Sequence, residues 1–265
     1  VVHIIHHELL DSTQYEAQRL FPEYDDADAG VLFVVTAHAQ THGRGRFNRT
    51  WSAPGGTCSL TTFGVRIPRH YREQAPWLTA LGALAAYETI STQFPALTPD
   101  LAIKWPNDLM IDGKKLGGVI ATIADPPTAS SWIDIAFGIG INTTMSARQL
   151  PVTTATSIRL ALDNRNAATA VVTDTFRKAM IATTLELIEL WQAGHYDARA
   201  CGLATQFEQR LATIGEQIIA TVLTNQTPHH FTGTMTGVTN NGHAIIHTAT
   251  GSHILSAGDV TLRRI

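Results

Sequence analysis

Val31-Leu32-Phe33-Val34-Val35-Thr36-Ala37 is a near-continuous apolar run of strand length, and within three residues it enters Gln40-Thr41-His42-Gly43-Arg44-Gly45-Arg46-Phe47-Asn48-Arg49. A strand without polar alternation has both faces covered, so this run belongs inside a sheet that carries helices. The glycine- and arginine-rich segment 40–56 that follows is a loop delivered from the end of that strand. Upstream, residues 2–9 are β-branched and apolar, and Asp11-Ser12-Thr13 supplies N-cap chemistry for a short helix over 14–21. Downstream, 57–65 returns to strand character, and Trp77, Leu81 and Leu84 recur at helical spacing in a stretch ending near 93 that packs on the sheet. Further strands are predicted at 101–104, at 116–124 after the turn Asp112-Gly113, and at 132–141. From 168 the positions Val172, Phe176, Ala179, Thr183, Leu187 and Leu190 follow the three-four spacing of an amphipathic helix reaching about 191.

Beyond 203 the texture changes to short alternating segments at 217–223, 230–238, 243–248 and 252–256, with the turn Asn240-Asn241-Gly242 between two of them. These predict a small antiparallel β-barrel. The expected architecture is therefore α+β: a mixed central sheet flanked by helices over 1–202, and a C-terminal barrel over 203–265.

Composition sets limits on function. Of 265 residues, 44% are hydrophobic, which suffices for at least one full core. Lys plus Arg (19) against Asp plus Glu (22) leaves a net charge of -3, and this argues against whole-surface attraction to nucleic acid or anionic lipid. No apolar run reaches the ~18 residues of a membrane helix, and the start Val1-Val2-His3 lacks signal-peptide character. Cys58 and Cys201 lie far apart with no CxxC, which fits a reduced cytoplasm and gives no basis for a disulfide framework. The pairs His38/His42 and His243/His247 fall in a strand or loop, where four-residue spacing does not reproduce a helical metal pair.

Four segments carry chemistry. In Gly43-Arg44-Gly45-Arg46-Phe47-Asn48-Arg49, three cations alternate with residues permissive of unusual backbone angles, a composition suited to a phosphate or carboxylate. Gly-Arg repeats also occur in linkers, but this loop is single, short, set after a buried strand and closed by Trp51, Pro54 and Gly55-Gly56. In Lys104-Trp105-Pro106-Asn107-Asp108, the proline forces the chain out of its strand and presents an amide and a carboxylate; an Asx-type turn is the competing explanation. Lys114-Lys115-Leu116-Gly117-Gly118 is either a charged hairpin or a strand entrance with a ligand lying close above its glycines. Gly138-Ile139-Gly140-Ile141-Asn142 ends another strand in an amide. With no evident Ser, Cys or His nucleophile, such a set points to catalysis by positioning and charge neutralisation, as in the activation of a carboxylate with ATP.

These segments, in this order, resemble the biotin protein ligases, also called biotin acetyl-CoA-carboxylase ligases, and the tail Gly258-Asp259-Val260-Thr261-Leu262-Arg263 resembles that family's C-terminal domain. The resemblance implies a class II synthetase-like biotin/lipoate ligase fold with an SH3-like barrel. It also implies biotin and Mg²⁺-ATP as substrates, biotinyl-5′-AMP as intermediate, and a lysine of a biotin carboxyl carrier protein, of acetyl-CoA or pyruvate carboxylase, as acceptor. Carried over, Ser12, Thr13 and Gln40 would bond the ureido head between Gly43 and Gly118, and Arg44 and Arg46 would clamp the carboxylate in a loop that orders with ligand. Lys115 would meet the carboxyl-phosphate junction, Arg49 and Lys104 the departing phosphates, and Asn107 and Asn142 the nucleotide. Asp108 would orient or deprotonate the incoming lysine and is the one candidate side chain for Mg²⁺. The segment 143–157, a flap over adenine in the family, has no aromatic residue here.

Ten residues precede Asp11, so the resemblance implies the monofunctional type, without a DNA-binding helix-turn-helix; a homodimer stays open. Two alternatives remain at this level. A lipoate or octanoate ligase shares the fold, but the Arg loop preceded by Gln40 favours a polar ureido head. A nucleic-acid-binding module would use the Arg loop and the barrel, against which the net charge counts.

Overall fold

The computed structural model describes residues 2–124, 131–224, 227–256 and 260–264. Its larger sheet contains β1 (His3–Leu10), β2 (Gly30–Gln40), β3 (Cys58–Pro68), β4 (Leu101–Lys104), β5 (Asp108–Ile111), β6 (Lys114–Ala124) and β7 (Trp132–Asn142), in the order β1-β2-β3-β7-β6-β5-β4. β1 runs parallel to β2, and every other neighbouring pair is antiparallel. Successive side chains of a strand point to opposite faces, and β2 shows why its apolar run needed no alternation. Phe33 and Val35 pack with Ala17 of α1 (Thr13–Leu20) and with Phe21, whereas Val34 belongs to the main core on the other face. That core is covered by α2 (Trp77–Gln93), α3 (Ile158–Asp163) and α4 (Thr173–Ala193). Gly82 lets α2 approach β7 closely, since a Cβ there would lie 2.5 Å from the Phe137 ring.

The long helix starts at Thr173, not near 168, and its buried stripe is rotated from the expected one. Phe176, Arg177, Met180, Ile181, Thr184, Ile188 and Trp191 face inward, while Val172 and Leu190 are exposed. Arg177 shares that buried face, its Nη1 donating to the Ala37 carbonyl at 3.2 Å and its Nη2 pairing with Asp174. A periodicity count of apolar residues cannot anticipate it. β5 was also unforeseen: the residues expected to form a turn at Asp108 begin a four-residue strand hydrogen-bonded between β4 and β6.

The C-terminal segment holds α5 (Leu203–Arg210) and β8 (Gln217–Thr224), β9 (Thr227–Val238), β10 (Ala244–Thr248), β11 (Gly251–Leu255) and β12 (Val260–Arg264). The strands form an antiparallel sheet in the order β11-β10-β9-β8-β12, and this corrects the expected SH3-like barrel: the sheet is open. β11 and β12 are the two ends of the ladder and do not pair among the described residues. Closure would need an inward face on β11, yet only Leu255 of that strand is buried and Ile254 is 63% exposed. The apolar face of the sheet covers the main core instead: Ile218, Ala220, Met235, Val238, Ala244 and Ile246 join the same continuous cluster as α2 and β7. Two indoles fasten the turn at 240–242 to α2 and to the β4–β5 turn, Trp77 Nε1 donating to Asn240 O at 2.7 Å and Trp105 Nε1 to Gly242 O at 3.3 Å. Of the tail motif, residues 258 and 259 lie outside the described residues, and 260–263 fall in β12. No helix among the described residues is long and apolar enough to cross a membrane.

Candidate active site

Strand register brings one end of the larger sheet together. The last residues of β1, β2 and β7 meet the first of β3, as the pairs Leu10↔Gln40 and Cys58↔Asn142 show, and the β4–β5 corner at Lys104↔Asp108 lies beside Gly118 of β6, itself opposite Gly140 of β7. A cavity of about 470 Å³ opens there.

Its inner recess is polar and buried. Ser12 caps α1, its side chain accepting from Gln14 N at 3.3 Å. Asp11 accepts from Ser12 N at 2.7 Å and pairs with Arg19, which holds its carboxyl below the usual range and fixes this helix start. Thr13 donates to Gln40 Oε1 twice, from N at 2.7 Å and from Oγ1 at 3.0 Å, and Thr62 Oγ1 donates to Thr13 Oγ1 at 2.8 Å. Gln14 Nε2 donates to Ile120 O at 3.1 Å, while its Oε1 is buried without a protein partner. A buried acceptor in that state awaits a donor. Gly138 keeps the recess open, because a Cβ there would lie 3.1 Å from Thr62 Oγ1 and 3.3 Å from Gln14 Cδ.

The arginine loop is a closed structure. Trp51 N donates to Gly43 O at 2.8 Å, Gly45 N to Arg49 O at 2.7 Å, and Arg44 bridges to Thr50. Gly43 does not line the cavity; it lies behind Trp51, where a Cβ would come within 2.4 Å of the Trp51 carbonyl oxygen. Trp51 itself forms a wall against Gly140, whose absent Cβ would meet the indole at 3.0 Å. Arg44 lies over the Tyr15 ring at 4.9 Å, and Arg46 Nη1 donates to Asn107 Oδ1 at 3.0 Å.

Across the cavity, Lys115 Nζ donates to Asp108 Oδ1 at 2.5 Å and stands 5.9 Å from the Trp51 ring centre. Gly118 faces this pair, with a hypothetical Cβ 3.4 Å from both Asp108 Oδ1 and Lys115 Nζ. The segment expected to form a flap is tied to the same lysine: Lys115 N donates to Thr154 O and Thr156 N to Lys115 O, both at 2.8 Å. Asn142 holds it too, Nδ2 donating to Thr156 O at 2.9 Å while Oδ1 accepts from Cys58 Sγ at 3.6 Å. Burial pushes the Cys58 thiol up to about 12, so it stays a protonated donor.

The lining thus gathers Arg44, Arg46, Arg49, Lys104 and Lys115 with a single carboxylate, Asp108. Among the described residues there is no group of three His, Cys, Asp or Glu fit to hold a metal ion. Sequence reasoning missed Gln14 and Thr62, while the segment expected to form a flap adds Pro151, Val152, Thr154 and Ala155 to the lining. Gln14 adjoins the Asp-Ser-Thr segment and was within reach, but nothing local distinguishes Thr62 from its strand neighbours.

Residues 9–129 match the model of the biotin/lipoate A/B protein ligase family. Over that segment the chain is similar to the family. A Bacillus subtilis relative, the bifunctional ligase/repressor BirA, is 35% identical over 150 residues, 56% of this chain and 43% of the relative. A biotin–[acetyl-CoA-carboxylase] ligase of Mycobacterium tuberculosis is 28% identical over 53% of this chain and 50% of its own length. The chain therefore spans about half the length of these relatives, whereas one of the same description from Paracoccus denitrificans aligns over 94% of this chain and 96% of its own, at 27% identity. Among solved structures, a biotin protein ligase from Aquifex aeolicus, described as a complex with biotin and ATP, superposes with a TM-score of 0.72 over 99% of both chains at 20% identity. The shared fold includes the C-terminal segment. In this chain, the lysine-aspartate pair, the arginine loop and the polar recess surround one space.

Proposed function

We propose that the protein is an ATP-dependent biotin protein ligase, joining biotin to a lysine of a biotin carboxyl carrier protein by way of biotinyl-5′-AMP. One observation carries the reading: a single cavity ends inward in a polar recess and outward in five cations. The recess offers Thr13, Gln40 and the unpartnered Gln14 Oε1 to a ring bearing both N–H and C=O, and a dithiolane would leave that buried acceptor unsatisfied. This supports biotin over lipoate.

In the first step the carboxylate of the acid, clamped by Arg44, Arg46 and Lys115, attacks the α-phosphate of ATP. Pyrophosphate departs against Arg49 and Lys104, and Asn142 faces the nucleotide. Negative charge grows on the bridging and leaving oxygens, and preorganised cations stabilise it where it develops. In the second step a carrier lysine attacks the acyl carbon of the mixed anhydride, and AMP leaves. Asp108 accepts the proton that the ammonium must lose. It becomes available once Lys115 turns from it to the acyl phosphate. The lining fits no resident Mg²⁺ site, since its one carboxylate is engaged by Lys115; in this reading the metal is the counter-ion of ATP. Residues 1–202 carry the chemistry, and 203–265 brace it. The test is incubation with Mg²⁺-ATP and either biotin or lipoate, followed by mass spectrometry of the retained acyl-AMP. A biotin-only adenylate is expected; a lipoyl adenylate, or none, would overturn the proposal.

A further inference from the structure

Asn107 lines the cavity, yet both ends of its amide face protein. Nδ2 donates to Val119 O at 2.8 Å, and Val119 N donates back to the Asn107 carbonyl at 2.9 Å. The residue is 8% exposed and therefore fixed to β6 by main chain and side chain together. The remaining acceptor, Oδ1, receives Arg46 Nη1 at 3.0 Å across a sequence separation of 61 residues. On its other side Arg46 lies over the Phe47 ring at 4.8 Å, and Phe47 adopts a positive φ of 56°, an uncommon backbone state for an aromatic residue. A loop with such a residue and two glycines needs an external hold to keep one shape.

We propose that Asn107 is a positioning residue: it acts through Arg46, as the post on which the arginine loop is held before any ligand arrives, and not as a contact to the nucleotide. Asn107 suits this because a neutral amide oxygen fixes the guanidinium without neutralising it. A carboxylate at 107 would also hold Arg46, but as an ion pair that the substrate anion must displace.

The adenylate arm of the test rests on the ligase reading; the proteolysis arm does not. In ligand-free protein, Asn107→Ala should speed tryptic cleavage after Arg44 and Arg49 by about tenfold, the order expected for loss of a hydrogen bond to a charged group. Arg46→Ala, which removes the other partner of the same bond, should speed cleavage at these two sites by a similar factor, and Asn107→Ala added to it should speed it little further. Equal cleavage of wild type and Asn107→Ala, or additive acceleration in the double variant, would overturn the proposal. Thermal melting of each variant separates local loosening from unfolding. For the acyl-AMP, Asn107→Ala should raise the release rate severalfold in the wild-type background, yet by less than about twofold when added to Arg46→Ala, because coupled residues are not additive. Additive effects would assign Asn107 its own contact with the nucleotide and end the proposal. If wild type makes no adenylate, the ligase reading fails, and proteolysis alone decides the role of Asn107.

Discussion

Lys115→Ala separates structure from chemistry because two ion pairs in this protein lie at different depths. The Lys115–Asp108 pair is open to water, with side-chain exposures of 39% and 26%, whereas Arg66–Asp134 is closed off at 4% and 9%. An exposed pair contributes roughly 0.2–1 kcal/mol to stability. For a domain of this size, that corresponds to a fall in Tm of at most ~2–4 °C, which leaves the protein folded at assay temperature. Loss of one preorganised charge at a reacting centre costs about 10²–10³ in rate, or ~2.7–4 kcal/mol of barrier. The chemical effect should thus exceed the structural one severalfold. The assay is single-turnover pyrophosphate release with saturating biotin and ATP, run beside thermal melting. Near-normal release would refute the placement of Lys115 at the carboxyl-phosphate junction. A melting point lowered far enough to unfold the variant would refute the claim that its pair is peripheral to stability.

Asp134→Ala should cost about 3–5 kcal/mol in urea denaturation, since it leaves a buried guanidinium uncompensated; Arg66 would still bond the carbonyls of Tyr24, Asp25 and Ala27, and an unchanged midpoint would contradict the burial argument. Gly140→Ala should displace the Trp51 wall, which lies 3.0 Å from the new methyl, at a cost of ~1–3 kcal/mol and with weaker acid binding by calorimetric titration; wild-type affinity would show that Trp51 is not a wall. For Cys58, whose burial holds the thiol up to about 12 against an ordinary value of 9.0, iodoacetamide at neutral pH should spare the native protein at this position. The folded-state value is the higher one, so unfolding releases this proton above about pH 9, and the stability it contributes should decline from there towards pH 12; modification of native Cys58 at neutral pH would sink the argument.

The strand order was not legible in the sequence, but the burial of β2 on both faces was, because an unalternating apolar run has one physical meaning. The cations and amides that line the cavity were legible for a related reason: glycines, cations and amides cluster where strands end, and such clusters have few structural uses. The phase of α4 was misjudged because the helix offers two apolar registers, and only the fold buries Met180, Ile181, Ile188 and Trp191 while leaving Val172 and Leu190 exposed. The barrel failed because alternation predicts strands but not what their apolar face will cover. Here the C-terminal strands alternate correctly and lay that face on another element's core. Gln14 was overlooked for a subtler reason: an unpartnered acceptor is a property of surroundings, and sequence does not list surroundings.

The two indole bonds from Trp77 and Trp105 to the 240–242 turn, together with the continuous apolar cluster beneath them, bear on how the molecule melts. Separate modules joined by a linker absorb heat in separate transitions. Among the described residues one apolar cluster runs through both sheets, so a calorimetric scan should give one peak with equal calorimetric and van't Hoff enthalpies. Heat tolerance then becomes a single property of the chain: a substitution in the C-terminal strands lowers the temperature at which the reacting groups, far away on the other sheet, come apart.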